Sequence, residues 1–444
     1  MRIDRLSIQN FRKFEALTFD LHPQFTLLVG GNGSGKTTIL DALALSLSVW
    51  LRILPAGVNP PHRSIQLKDA RLTPARVADR VQFQTHIPVS VKAAGRVSDD
   101  DELTWGQTLQ SNLRLDWDAE KLIEKSRQLS EGASPDTPSN YPVLASYGVT
   151  RAALPEQQRA TLNMPLSFAQ RWDAYAHCFN ERIDYDDLRR WFYREEAAAG
   201  ASGGRKRPGY EVVRQAVFGC VPGADDLWFD VDYADLICSI GGQTQPLGNL
   251  SDGQRMLLAM VADIALKAVT LNAHLLPSDE LGPADERLPR VLRETPGVVL
   301  IDELDVHLHP GWQRRVAADL KRTFPAIQFV CASHSPQVIG ELAREEIRLL
   351  RPDGAEPPPV ARGADSNWIL DHVMENSASE NLTARQLKDE VEDALAEGDL
   401  PQARAKLADF RRLLDGDTGE LVRLESSLYV LEALARDAEE GAPV

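Results

Sequence analysis

Gly30-Gly31-Asn32-Gly33-Ser34-Gly35-Lys36-Thr37 spells a complete G-x-x-x-x-G-K-T loop. Residues of these types at this spacing hold the phosphates of a nucleotide. Glycines let successive backbone N–H groups converge on phosphate oxygens, and a helix opening behind them adds partial positive charge. Lys36 is placed to reach the β- and γ-phosphates and the Thr37 hydroxyl to ligate Mg²⁺, with Thr38 next in the first helical turn. A Gly/Ser-rich turn alone accounts for neither the Lys-Thr pair nor what flanks it. The bound species implied are ATP and Mg²⁺.

Two further groups complete the chemistry. Asp302-Glu303 closes the apolar run Pro296-Gly-Val-Val-Leu-Ile301, and His334 follows a second run, Ile327-Gln-Phe-Val-Cys-Ala332. A strand-end Asp302 suits a Mg²⁺-binding carboxylate, and Glu303 beside it can polarise the water that attacks a γ-phosphate. His334 can contact that phosphate and hold the water in line. The third group is Leu250-Ser251-Asp252-Gly253-Gln254-Arg255, at the head of a long apolar helix. Ser251, Gly253 and Gln254 there form an anion site. The chain already has one phosphate loop, so this second site is expected to serve a nucleotide on another subunit.

Positioning these groups takes a particular set of elements. An apolar strand, Phe25-Thr-Leu-Leu-Val29, feeds the loop, and an apolar helix, Thr38 to Leu45, leaves it. The runs before Asp302 and His334 read as buried strands with a helix, Gly311 to Thr323, between them. That is a parallel βαβ step whose strand ends share an edge with the phosphate loop. Alternating residues over 2–8 and 17–21 predict an antiparallel hairpin before the loop. Residues 95–140 read as polar and turn-rich. From 155 to about 216 the pattern is helical, and its aromatics (Phe168, Trp172, Tyr175, Phe179, Trp191, Phe192) recur at core spacing.

Composition narrows the class. The chain has 444 residues, 43% hydrophobic and 26% charged, with a formal net charge of −16. That charge argues against a protein wrapped in nucleic acid, although Arg205-Lys206-Arg207 leaves a DNA contact open. No segment reads as membrane-spanning, and a charged N-terminus lacks the apolar core of a signal peptide. The four cysteines, Cys178, Cys220, Cys238 and Cys331, are scattered and fit a reduced cytoplasm. From Ser377 onward, sixteen acidic residues face eight Arg/Lys, a net of −8. This stretch predicts helices over 387–397, 401–414 and 420–438, with Gly398 closing the first and Asp399 capping the second. Its apolar positions are Leu407, Phe410, Leu414, Leu421, Leu424, Leu428 and Leu431, some of which must pack internally.

In order, these motifs resemble the ABC ATPase superfamily: a Walker A loop at 30–37, a signature at 251–255 and a Walker B strand at 298–303. A D-loop follows at Leu304-Asp-Val-His307, then the H-loop His334. The resemblance covers about residues 1–350. Leu6-Ser-Ile-Gln-Asn-Phe-Arg-Lys-Phe14 and Leu304-Asp-Val-His-Leu-His-Pro310 are similar to the RecF, SMC and OLD branch, and Arg12 is then expected near the nucleotide. His307 and His309 fall in the D-loop. Tyr147-Gly-Val-Thr-Arg151, Arg171-Trp-Asp-Ala-Tyr175, Asp187-Leu-Arg-Arg-Trp191 and Asn367-Trp-Ile-Leu370 narrow the resemblance to the PtuA-type ATPases of Septu and retron-associated anti-phage systems. Asp252 departs from transporters, which have a small residue there. No Q-loop glutamine is clear; Gln157 and Gln158 lie nearest the expected strand end.

The resemblance implies an α/β ABC-type head over 1–154 and 217–376, with antiparallel N-terminal strands, a helical insertion at 155–216 and an acidic helical tail at 377–444. It further implies slow ATP hydrolysis in head-to-head dimers and an HNH-type nuclease partner. A RecF-like repair ATPase that binds DNA directly is the alternative. The separation of 214 positions from Thr37 to Ser251 exceeds that of a compact transporter subunit. An OLD-type nuclease would need a metal-binding domain after His334, and the one Asp-x-Asp there, Asp415-Gly-Asp417, falls in a turn of the tail.

Overall fold

Three runs, Phe25–Val29, Gly297–Ile301 and Ile327–Ala332, are buried at every residue. Only a sheet covered on both faces accommodates strands of that kind, and such sheets are parallel. In the computed structural model they form the middle of a six-stranded sheet. Its order is Gly354–Glu356, Ile347–Arg351, Phe25–Val29, Ile327–Ala332, Gly297–Ile301 and Val143–Tyr147. All neighbours are parallel except the first pair. The βαβ step lies where the sequence predicts it, with the helix at Pro310–Thr323 between adjacent parallel strands. The structure describes residues 1–54, 63–77, 80–97, 102–131, 139–149, 170–276, 288–351, 354–374, 382–414, 416 and 418–440.

A second sheet is antiparallel: Phe14–Asp20, Arg2–Phe11, Val89–Arg96, Leu103–Leu109 and Leu115–Asp118. It contains the expected N-terminal hairpin. It also holds two strands from the stretch read as turn-rich, which further contains the helix Glu120–Glu131. Charged flanks at 99–102 and 112–118 hide the strand Leu103–Leu109 in the sequence, yet its Trp105 is fully buried. Buried polar groups lock this layer in place. Gln328 exchanges two bonds with the backbone of Ile3, at 2.8 and 2.7 Å. Trp105 and Gln107 donate to the carbonyls of Ser46 and Leu45 on the loop helix, Lys36–Ser48.

Helices Tyr185–Ala201, Pro208–Cys220 and Asp252–Leu271 flank a three-stranded meander over 224–246. Trp191, Phe192 and Tyr210 pack ring against ring, with centroids 5.0–6.5 Å apart. They are core, as their spacing implies. Within the basic run, Lys206 pairs with Glu196, and Arg207 lies 3.2 Å from Glu195. Thr150, Arg151, Gln157, Gln158, Phe168, Asp415 and Asp417 lie outside the described residues, as does 277–287 of the loop between the signature and Walker B.

The chain divides into two units, Met1–Ile369 and Leu370–Val444. The second holds helices Leu382–Glu397, Leu400–Leu413 and Gly419–Glu440. Gly398 takes a left-handed φ of +75°, and the Asp399 side chain caps the next helix by accepting from Gln402 N. Leu407, Phe410, Leu421, Leu424 and Leu428 join Val391 and Ala403 in this unit's own core. Val422, Tyr429, Val430 and Leu434 stay exposed on the last helix. All four cysteines are buried, and burial pushes the thiols of Cys178, Cys220 and Cys238 up to about 12. No helix among the described residues is long and apolar enough to cross a membrane.

Candidate nucleotide site

The loop between strand and helix turns through Gly33 and Gly35, with φ of +74° and +106°. Only glycine adopts both without strain. At Gly35 a Cβ would also lie 2.5 Å from the Phe14 ring, so the hairpin tip closes directly on the loop. Lys13 Nζ donates to Gly33 O at 2.5 Å. Lys36 Nζ donates to the Gly30 and Gly31 carbonyls at 2.9 and 3.4 Å. Burial pushes its pKa down, opposed by the carboxylates of Glu303, Asp302 and Asp305. The Ser34 hydroxyl is buried without a hydrogen-bond partner among the described residues. A loop with an ammonium, converging amides and a spare hydroxyl fits phosphate oxygens.

The Thr37 hydroxyl donates to Asp302 Oδ2 at 2.8 Å. These residues are 265 positions apart, joined because their strands end on one edge of the parallel sheet. Two oxygen donors in contact at the loop's end fit a hard divalent cation such as Mg²⁺.

Glu303 has a left-handed backbone, φ +50°. Such strain costs about 1–3 kcal/mol and persists only where surroundings over-determine it. They do so here: Asp302 N donates to Tyr147 O and Leu304 N to Ala332 O, both at 2.8 Å. The residue between is pinned to strands on either side. Its carboxylate lies 3.7 Å from His334 Nε2, and both side chains are about a quarter exposed. Burial raises the Glu303 pKa, while His334 and Lys36 oppose the rise. Ser333 Oγ donates to Asp305 at 2.5 Å and holds the turn that carries both groups.

The signature helix is capped by Ser251, whose side chain accepts from Gln254 N at 3.3 Å. Arg255 is buried and pairs with Asp252. Among the described residues, no hydrogen bond joins 251–255 to the phosphate loop. Gly253 instead packs on the D-loop, where a Cβ would lie 2.1 Å from His307 O. Gly253→Ala is therefore expected to lower the melting temperature, with overpacking costing about 1–3 kcal/mol. A thermal melt of the full chain checks it. His309 lies at the next helix start and accepts from Gly311 N at 3.2 Å.

Arg12, expected near the nucleotide, donates to Asp41 of the loop helix at 2.6 Å and lies 3.4 Å from Asp69. These pairs use Nη1 and Nε, which leaves the Nη2 donors of the guanidinium outside both contacts. A cleft of about 540 Å³ opens beside the loop, lined by Lys13, Phe14, Asn32, Gly33, Arg71 and Arg351. Phe14 and Arg71 were not legible as site residues, because only tertiary packing brings them to the loop.

A phosphate loop between strand and helix, with Lys36, Thr37 and Asp302 gathered on one sheet edge, is the arrangement of a P-loop ATPase. An AAA domain model matches residues 5–132, and a second, described as "AAA domain, putative AbiEii toxin, Type IV TA system", matches 240–340. Among curated relatives, the chain is similar to the Retron Ec83 probable ATPase of Escherichia coli, at 24% identity over 84% of this chain and 76% of that one. It is also similar to Septu protein PtuA of Bacillus mycoides, at 22% identity over 78% of this chain but 40% of that one. Among solved structures, an SMC head domain from Thermotoga maritima aligns with a TM-score of 0.43 at 13% identity, over 81% of this chain and 99% of that one.

Proposed function

We propose that this chain is the ATP-hydrolysing subunit of a bacterial anti-phage defence complex, cytoplasmic and partnered by an HNH-type nuclease. The observation that carries the enzymatic part is the Thr37–Asp302 contact, with Lys36 and the Glu303–His334 pair beside it. The head comprises 1–154 and 217–376, the helical insertion 155–216, and the tail 377–444. In this reading Gly30 to Thr38 hold the phosphates, and the base and ribose lie in the neighbouring cleft. Thr37 and Asp302 would hold Mg²⁺, which would neutralise charge on the phosphates. Glu303 takes the proton of the attacking water, and His334 keeps that water in line. Ser251, Gly253 and Gln254 serve the nucleotide of a second chain, so turnover is slow and needs head-to-head pairing.

The defence role rests on the names of the relatives above. Direct DNA binding has less support, since two of the three charges of the basic run are matched internally by Glu195 and Glu196. The tail is the proposed docking element. Its net −8 repels a phosphate backbone, while Val422, Tyr429 and Val430 offer an apolar helix face. Deleting 378–444 is expected to leave ATP hydrolysis intact and to abolish co-purification with the product of the neighbouring gene. Retention of both partner and assembly mass would remove the tail from this role.

A further inference from the structure

Tyr147 ends the strand Val143–Tyr147, beside the strand that carries Asp302. Its carbonyl accepts from Asp302 N at 2.8 Å, one peptide from the metal-binding carboxylate. Its ring is buried, at 3% exposure, and its hydroxyl donates to Asp263 Oδ2 at 2.6 Å. Asp263 belongs to the signature helix, Asp252–Leu271. Lys267, one turn further and equally buried, holds the same carboxylate oxygen. A continuous polar chain thus crosses the layer between sheet and helix. It borders a cavity of about 20 Å³, room for roughly one water.

Stability alone is a weak reason for such a chain. A buried ion pair loses much of its attraction to desolvation, and apolar residues of similar volume serve as well or better. What a hydrogen bond adds is direction: it fixes both the rotation and the axial position of the helix. Burial pushes the Tyr147 pKa well up, so its hydroxyl keeps its proton and remains a donor. From Asp263 the helix runs 11 residues back to Asp252, about 16 Å of rigid rod. At that far end Gly253 rests on the His307 carbonyl. The helix is gripped at two points: Tyr147 leads to Asp302 through one backbone hydrogen bond, and His307 lies four residues after Glu303.

We infer that Tyr147 is a positioning residue that sets the signature helix through Asp263 and Lys267, tying its angle to the metal-binding end of the neighbouring strand. A nucleotide held in one chain's loop would thereby adjust how Ser251, Gly253 and Gln254 meet the nucleotide of a second chain. The inference rests on the ATPase reading above.

The test uses the full chain carrying Tyr147→Phe. ATP affinity is expected within about twofold of the parent, while kcat falls about tenfold, as for other supporting contacts behind a site. A triple variant, Tyr147→Phe with Asp263→Leu and Lys267→Met, replaces the polar chain by apolar groups. It is expected to match or exceed the parent's melting temperature yet hydrolyse as slowly as the single variant. Recovery of kcat in the triple variant would make the chain merely structural and overturn the inference, as would parental kcat in Tyr147→Phe. Amide exchange over 252–258 supplies a readout independent of turnover. MgATP is expected to slow exchange there in the parent and not in Tyr147→Phe; equal protection in both overturns the tether. Should the parent bind ATP without hydrolysing it, the hydrolysis reading fails and the exchange comparison alone judges Tyr147.

Discussion

Lys36→Ala is expected to abolish ATP binding. The ammonium is buried in the phosphate loop, and in the structure it occupies itself with the Gly30 and Gly31 carbonyls at 2.9 and 3.4 Å. A phosphate oxygen is a better acceptor than either, because the bond becomes charge-assisted. Truncation removes that bond and one of the positive charges set between the phosphates and the carboxylates of Asp302 and Glu303. Losing one partner of a buried charged contact costs about 2–5 kcal/mol, at the middle of which affinity falls over roughly a hundredfold. The fold is expected to survive, since Lys36 stands at the first turn of its helix and contributes nothing to the sheet. Titration calorimetry with MgATP, beside a melting curve, checks both halves. Parental affinity in a folded variant would reject the loop as the nucleotide site.

Glu303→Gln is expected to keep ATP and lose turnover. The substitution preserves shape and leaves Thr37 and Asp302 untouched, but an amide cannot accept the proton of the attacking water. General-base catalysis contributes roughly 10²–10⁴-fold, and a loss of that size is expected in kcat with little change in affinity. An ATP-bound pair of heads then accumulates, visible as a doubled mass that appears only with ATP. The parent's pH dependence bears on the same group. Burial raises the Glu303 pKa, so its basic form is lost sooner as pH falls. The acid limb of the parent's rate profile is therefore expected above the ordinary glutamate value, and absent from the Glu303→Gln variant's residual rate. Hydrolysis by that variant at the parental rate would remove Glu303 from the base role.

Much of the head could be read from residue order because its chemistry sits where patterns are strongest. The largely apolar runs before Asp302 and His334 read as buried strands, and parallel pairing follows from the helix between them. The caps at Gly398 and Asp399 were equally readable, because each acts within a few residues of itself. What escaped depends on contacts across long separations. The strand Leu103–Leu109 is flanked by charges, and its burial comes from a loop helix some sixty residues earlier. The tail's leucines could be counted, but which face remained outside was decided by three-helix packing. Tyr147 stood in a recognised motif, yet its partner Asp263 lies 116 residues away. The pairs of Arg12 with Asp41 and Asp69 likewise span 29 and 57 positions.

The four buried cysteines also set the chain's reactivity toward electrophiles. Alkylation and disulfide exchange proceed through the thiolate, and a thiol with a pKa near 12 holds about one part in 10⁵ as thiolate at neutral pH. Cys178, Cys220 and Cys238 are in that range, and Cys331 lies fully inside the central sheet. The folded head is thus chemically silent to maleimides and mild oxidants, and thiol labelling becomes a direct gauge of its opening. A single cysteine introduced at an exposed tail position such as Val422 would carry a probe alone, reporting on the tail without background from the core.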